Sequence, residues 1–277
     1  MRLLQNMDSL NIYSRYKKNL DVQSKIMNRI STGSKINSSK DNPNKMGVRE
    51  NLRIQLKGIQ MAERNIQDGI SMLQAADGAL SSMNESLTRI KELTVQAGGV
   101  NNEEDLQIIQ NEINQLKENI DSIASNTEFN GVKLLNDTSS NNLNPNTLKH
   151  MVGANVGDKM EIPLYNISSE EIFGGDLNLI NNGIDSSLQA VDSAINMVNS
   201  VRSRFGAIQN RLESSYENIG DTTLNLQTAE SRISDADIAL EMADFARTSI
   251  LSESSLALMH QTNKFPQDVL RVLENMK

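Results

Sequence analysis

Apolar residues in two long stretches of the chain recur every seventh position. Ile59, Ile66, Leu73, Leu80 and Leu87 form one row, and Ala62, Ala76, Met83 and Ile90 follow three positions behind members of it. A stripe of this period is a heptad seam on a long amphipathic helix. It extends back through Leu56, Leu52 and Val48 and forward to Ala97, where Gly98 and Gly99 supply a stop. Such a helix is about 75 Å long at roughly 1.5 Å per residue. Asn101 or Asn102 then precedes the acidic first turn Glu103, Glu104, Asp105. Leu106, Ile109, Ile113, Leu116, Ile120 and Ile123 follow at spacings of three and four, predicting a second helix that folds back on the first. The matching row in the other half is Ile184, Val191, Val198, Phe205, Leu212, Ile219, Leu226 and Ile233. Its flanking row is less regular, with Leu188, Ile195, Tyr216 and Thr223 but also Arg202, Gln209 and Glu230, and it reads as a bundle helix with one firm seam.

Between these stretches, residues 136–183 hold Pro145 and Pro163 and many Asn and Ser, and the helical period stops. Lys149–Ala154 and Lys159–Asn166, separated by Asn155, Val156, Gly157 and Asp158, predict one small β-hairpin. The two ends form a third zone. Leu3, Leu4, Met7, Leu10, Tyr13, Tyr16, Leu20, Ile26, Met27 and Ile30 make one amphipathic segment. Ile238, Leu240, Met242, Phe245, Ile250, Leu251, Leu256, Leu258 and Met259 make a helix that is apolar on more than one side and calls for surroundings. The fold class expected is therefore mainly α: a long antiparallel helical rod with heptad seams, terminal helices paired as a coiled coil, and a small β-hairpin region in the middle. The domains expected are a discontinuous terminal-helix domain, 1–45 plus 236–277, and a rod domain, 46–235, with the β element around 136–183.

Composition narrows the function. The 277 residues carry 27 Lys plus Arg against 35 Asp plus Glu, a net charge of −8, no Cys, no Trp and 3% aromatics. The core must be aliphatic, and there is no general basic footprint for nucleic acid. Charge is uneven: residues 1–45 sum to +6 and 236–277 to −2, leaving −12 for the middle. No apolar stretch approaches the ~20 residues of a membrane span. Asp8, Arg15, Lys17, Lys18, Asp21, Lys25 and Arg29 interrupt the start, so no Sec-type leader is expected. Terminal helices with apolar surface on several sides predict self-association.

Candidate chemistry is sparse. His150 and His260 have no ligand-spaced partners, and a lone His cannot close a metal shell. Asp41–Glu50 fails as a calcium loop because Pro43 occupies the third ligand position and Gly47 comes one place late. The pairs Glu103–Glu104 and Glu170–Glu171 read as solvated first-turn charges, since adjacent helical residues point apart. No elbow sequence supports a Ser-His-Asp arrangement, and no glycine loop resembles a phosphate cradle. The Met residues, 13 in all, sit mostly at seam positions or along the terminal helices, where adaptable packing explains them. Neither an enzyme nor a cofactor is expected.

Several segments carry a family resemblance. The run Ile30-Ser-Thr-Gly-Ser-Lys-Ile-Asn37, then Asn65-Ile-Gln-Asp-Gly-Ile-Ser71, Ala76-Asp-Gly-Ala-Leu80, Leu87-Thr-Arg-Ile-Lys-Glu-Leu-Thr-Val-Gln96 and Thr127-Glu-Phe-Asn-Gly-Val-Lys-Leu-Leu135, resembles bacterial flagellin. So do Gly206-Ala-Ile-Gln-Asn-Arg-Leu-Glu213, Ala229-Glu-Ser-Arg-Ile-Ser-Asp-Ala-Asp237 and Pro266-Gln-Asp-Val-Leu270 in the other half. The resemblance implies a short-form subunit, lacking large outer domains, that polymerises with itself into the extracellular flagellar filament for swimming motility. It implies unfolded export through the flagellar type III apparatus, an export chaperone at the C-terminal region, and cap and hook-junction proteins as partners. Self-assembly is expected to rest on Leu3, Leu4, Met7, Leu10, Ile26, Ile30, Ile238, Met242, Phe245, Leu256, Met259, Val269 and Leu270. The resemblance also places a host innate flagellin receptor on Arg89, Leu93 and Glu112, with Arg89 and Leu93 sharing one helix face. Two features depart from the family pattern. Asp41-Asn-Pro-Asn-Lys-Met-Gly47 stands where the family usually has Asp-Asp-Ala-Ala-Gly, and the chain runs past Leu273 to Lys277. The Asp-Asn-Pro variant resembles the related hook-filament junction proteins, which supply the alternative reading.

Overall fold

The structure is a computed structural model; it describes residues 6–99, 102–137, 145–175 and 177–274, with backbone alone at 181–182, 270 and 272–274. Its elements in chain order are α1 (Met7–Thr32), α2 (Pro43–Ala97), α3 (Glu103–Asn126), β1 (Glu128–Phe129), β2 (Val132–Lys133), β3 (Asn146–Met151), β4 (Lys159–Leu164), α4 (Ser169–Phe173), α5 (Leu179–Asn182), α6 (Ile184–Ser234) and α7 (Ile238–Glu274). By its contacts the chain forms two compact units, Gln55–Leu224 and Met1–Ile54 with Asn225–Lys277.

The larger unit is built on the heptad seams. Ile59, Ala62, Ile66, Leu73, Ala76, Leu80, Met83, Leu87 and Ile90 are all buried on α2, and Val191, Val198, Phe205 and Leu212 on α6. Cross-helix contacts fix the direction. Arg202 pairs with Asp77 at 2.7 Å and Lys91 with Asp192 at 2.6 Å, while Gly69 lies beside Leu212. Positions rise on one helix as they fall on the other, so α2 and α6 are antiparallel. Helix α3 returns along α2 in the same sense, with Arg89 on Glu112 and Ser86 on Asn119. Asn102 caps α3 by accepting from the Glu104 amide, and Glu103, Glu104 and Asp105 follow it in the first turn, a favourable charge at the positive end of the helix dipole. The break that Arg202 makes in the flanking row of α6 is its pairing with Asp77, to which the guanidinium donates from Nε and Nη2.

The sheet content exceeds the single hairpin expected. β3 and β4 pair antiparallel from Asn146–Leu164 to Met151–Lys159, so the first strand begins and ends about three residues before the expected span. The hairpin sits on α2: His150 Nε2 meets the Asn65 carbonyl, and Asn65 Nδ2 donates to the Met151 carbonyl. Gly69 and Gly58 make room for it, since a Cβ at either would lie 3.0 Å from His150 or Ala154. β1 and β2 form a second hairpin around Asn130 and Gly131, at φ 50° and 78°. Positive φ at both central residues is what a tight two-residue hairpin turn demands, and Asn-Gly supplies it. The stretch after β4 closes the core: Tyr165, Ile167, Ile172, Phe173, Leu177 and Leu179 are buried, and Tyr165 lies against Phe205 with ring centroids 5.8 Å apart. Polar clamps hold it. Gln110 donates to the Leu177 carbonyl and accepts from the Leu179 amide, and Asp121 accepts from both the amide and the hydroxyl of Ser169.

In the smaller unit α1 packs along α7. Gly33, at φ 68°, ends α1 in the left-handed conformation, and the chain from Gly33 to Lys35 pairs with Ser234–Ala236. Arg49 donates to the Ile36 carbonyl at 2.5 Å, and Asp41 accepts from the amides of Asn37 and Ser38. Those backbone donors hold the Asp41 carboxyl below its ordinary pKa, with the Ser38 amide the larger influence.

Candidate assembly surface

Burial alternates along α1 and α7 in a way that shows which stripe each turns inward. On α1 the buried and half-buried positions are Ser9, Ile12, Tyr16, Asn19, Gln23, Ile26 and Ile30, at spacings of three and four, with Arg29 beside the last. On α7 they include Glu241, Phe245, Thr248, Ser252, Ser255, Met259, Thr262, Pro266 and Val269 at the same spacings. The period is that of a coiled coil, but the content is unusual. Glu241, Thr248 and Ser252 are buried, and most inward positions are small or polar.

Ile26, Phe245 and Met259 turn into this seam, but many other apolar side chains of both helices point the other way. Met7, Leu10, Tyr13, Leu20, Val22 and Met27 are exposed on α1, and Ile238, Leu240, Met242, Ile250, Leu251, Leu256, Leu258 and Phe265 on α7. Leu10, Ile250 and Phe265 each keep more than 60% of their surface open. Scattered exposed Leu residues need no explanation; a run of them along two paired helices marks an interaction surface.

Polar contacts hold the pair in register. Arg29 reaches Glu241 at 3.3 Å, which satisfies a carboxylate that the seam has buried. At the far end Pro266 lies inside α7 without an N–H, so the Thr262 carbonyl four residues back lacks its helical partner. Asn6 Nδ2 donates to that carbonyl at 3.0 Å, while Asn6 Oδ1 accepts from the Ser9 amide and caps α1. One side chain thus starts α1 and repairs the gap in α7. Asn6→Ala is expected to cost about 0.5–2 kcal/mol from the cap alone. Loss of α1 and α7 amide protection in hydrogen exchange, with the larger unit unchanged, is the check.

The sequence-expected assembly residues divide between the two faces. Ile26 is buried, and Ile30, Phe245, Met259 and Val269 are half-buried in the inner seam. Met7, Leu10, Ile238, Met242 and Leu256 are on the open face. Leu3 and Leu4 lie outside the described residues, as does the Leu270 side chain. Sequence reasoning missed Asn6 as a cap bridging both helices. Its signal was Pro266 inside an otherwise helical segment.

Arg89 and Glu112 come together at 3.0 Å on exposed surface, with Glu92 on the other guanidinium nitrogen at 3.1 Å. Hydrogen bonding to Glu112, then to Glu92, raises the Arg89 pKa further. Leu93 does not share an open face with Arg89, because it is 2% exposed. Here α2 is covered by both α3 and α6, so its buried arc is wider than one seam and takes in Leu93 and Thr94 as well as Ile90. His150 serves the hairpin and His260 is exposed. Among the described residues no group of three or more His, Asp or Glu is placed to hold a metal, and no helix is long and apolar enough to cross a membrane.

Paired terminal helices that leave a run of apolar side chains open beside a partly polar seam, with no catalytic or metal cluster among the described residues, have the form of a structural, interaction-prone protein. Residues 3–140 match the bacterial flagellin N-terminal helical region and 188–273 the bacterial flagellin C-terminal helical region. The chain is 36% identical to a flagellin of Bacillus subtilis (strain 168) over 303 aligned positions, covering 99% of this chain and all of that one. The crystal structure of Bacillus cereus flagellin is similar at 31% identity and a TM-score of 0.50, covering 56% of this chain and 88% of that one. A putative flagellar hook-associated protein from Vibrio parahaemolyticus has a TM-score of 0.60 at 19% identity, over 70% of this chain and 100% of its own, a likeness of fold alone. The chain belongs to the bacterial flagellin family.

Proposed function

We propose that this flagellin polymerises through its terminal helices, each pair presenting its outer apolar face to the same helices of neighbouring copies. The chain is a structural subunit of the bacterial flagellar filament and serves swimming motility; the hook-filament junction reading has less support. The observation that carries the mechanism is the apolar face that the α1–α7 pair leaves open, with Leu10, Leu240 and Phe265 outside while Thr248 and Ser252 take inner positions. In water that arrangement leaves its largest gain unrealised, since each Leu or Phe taken from water contributes about 1.5–3 kcal/mol. Residues 1–45 with 236–277 form the assembly domain, and 46–235 form the rod. The filament is extracellular, and the subunit reaches it unfolded through the flagellar export apparatus. A chaperone covers the C-terminal region beforehand; the exposed Leu256, Leu258 and Phe265 give it an apolar target. Cap and hook-junction proteins meet the subunit at the filament ends.

Hydrogen exchange on free subunit and on filament tests the mechanism. Amides of α1 and α7 should slow strongly on polymerisation, while those around Leu80 and Val198, already in a closed core, change little. Equal exchange of the terminal helices in both states would mean that another surface joins the subunits.

Arg89 and Glu112 form the recognition surface for a host innate flagellin receptor, and Leu93 supports them from beneath. Arg89→Ala with Glu112→Ala is expected to move the thermal midpoint by no more than about 2 °C, because exposed ion pairs contribute little. Receptor activation by the free subunit should fall. Undiminished activation by the double variant would remove these residues from the interface.

A further inference from the structure

We infer that Met7, Met27 and Met242 are an oxidation site on the assembly face, at which a hydroperoxide disables the free subunit but not the polymer. The inference rests on the assembly reading above. The chain has no Cys, so its sulfur chemistry falls to 13 Met residues. The structure sorts these by access: Met72, Met83 and Met160 are buried in the larger unit at 4%, 0% and 7% exposure, whereas Met7, Met27 and Met242 are 57%, 49% and 50% exposed. All three stand on the outer stripes of α1 and α7, among Leu10, Val22 and Leu240. Met61 and Met151 are similarly open, but they belong to the larger unit.

The step is a two-electron transfer. The thioether sulfur attacks one peroxide oxygen, the O–O bond breaks, sulfur keeps that oxygen as a sulfoxide, and the other oxygen leaves as water or an alcohol after taking the proton. Sulfur is oxidised and the peroxide is reduced. The product is a polar, chiral group where an apolar one had been. On water-exposed helices it is tolerated; at a packed interface its S–O dipole must be buried without a partner. Assembly closes the same sulfurs to the oxidant, so a subunit already incorporated is spared. With no thiol of its own, the chain cannot reverse the step, and restoration needs a separate thiol-driven reductase.

The test treats full-length subunit and preformed filament with hydrogen peroxide, maps sulfoxides by peptide mass spectrometry, and measures elongation from untreated filament seeds. In the free subunit Met7, Met27 and Met242 should oxidise at least about tenfold faster than Met72 and Met83, and at least about tenfold faster than the same three residues in filament. Treated subunit should elongate several-fold more slowly. The volume-conserving variant M7L/M27L/M242L, compared with its own elongation before treatment, should lose that sensitivity, while M61L/M151L should keep it. Single Leu variants, each expected to remove part of the sensitivity, answer for the triple if it elongates poorly before treatment. Equal oxidation in subunit and filament, undiminished elongation after oxidation, or sensitivity that follows Met61 and Met151 would each overturn the inference. Failure of the untreated parent to elongate would instead count against the assembly reading itself.

Discussion

A fragment spanning residues 46–235 is expected to remain soluble and helical and to form no filaments. Its core is self-contained. Ile66, Leu73, Leu80, Met83, Leu87, Ile90, Ile113, Val198 and Phe205 are buried within Gln55–Leu224, a unit that needs neither terminal helix to close it. What the fragment loses is the outer face of α1 and α7. Five side chains from that face, Met7, Leu10, Leu240, Ile250 and Phe265, would contribute about 1.5–3 kcal/mol each if buried between copies. Together that is of the order of the ~8 kcal/mol behind a micromolar association, so the loss should abolish assembly. Circular dichroism and sedimentation give the two readings. Filaments grown from the fragment would show that the rods alone carry the polymer.

Charge placed on the long seams should unfold the larger unit. Leu73 is 1% exposed on α2, and Phe205 is 3% exposed on α6 against the Tyr165 ring. Truncating such residues costs about 2–5 kcal/mol in packed cores, and an unpaired buried carboxylate adds its own desolvation cost. Against a total stability of about 5–15 kcal/mol, Leu73→Asp or Phe205→Asp should eliminate the cooperative thermal transition or lower its midpoint steeply. An unchanged midpoint would mean that the seam faces solvent.

The long helices were legible because their signal is periodic and repeated. Ile59 to Leu87 and Val191 to Leu212 follow one rule for many turns, and no local exception can erase it. Helix starts were legible where a capping residue stood before acidic neighbours, as Asn102 stands before Glu103 and Glu104. Local turn chemistry was overlooked at Asn130-Gly131, where the dipeptide was available but the flanking strands are only two residues each. Irregular segments hid their role for a different reason. Tyr165, Ile167 and Phe173 have no period, so only tertiary packing reveals that they close the core under the clamps of Gln110 and Asp121.

The terminal helices show the limit of reading amphipathicity from one chain. The sequence predicts apolar surface on more than one side of α7 and self-association through the ends, but not the division between faces: the pair turns Ile26, Phe245, Thr248, Ser252 and Gln23 towards its own seam and leaves Leu10 and Leu240 open. Periodicity identifies a stripe that will be buried, not which molecule buries it. Leu93 shows the same limit in reverse: spacing from Arg89 put it on a shared face, and two covering helices put it in the core.

Seeded growth of the intact purified chain, followed by electron microscopy, tests the central claim most directly. A filament subunit should extend seeds into long continuous filaments whose length increases with the protein supplied. Growth that stops after a short segment would contradict the account in favour of a junction adaptor, and no growth at all would contradict both.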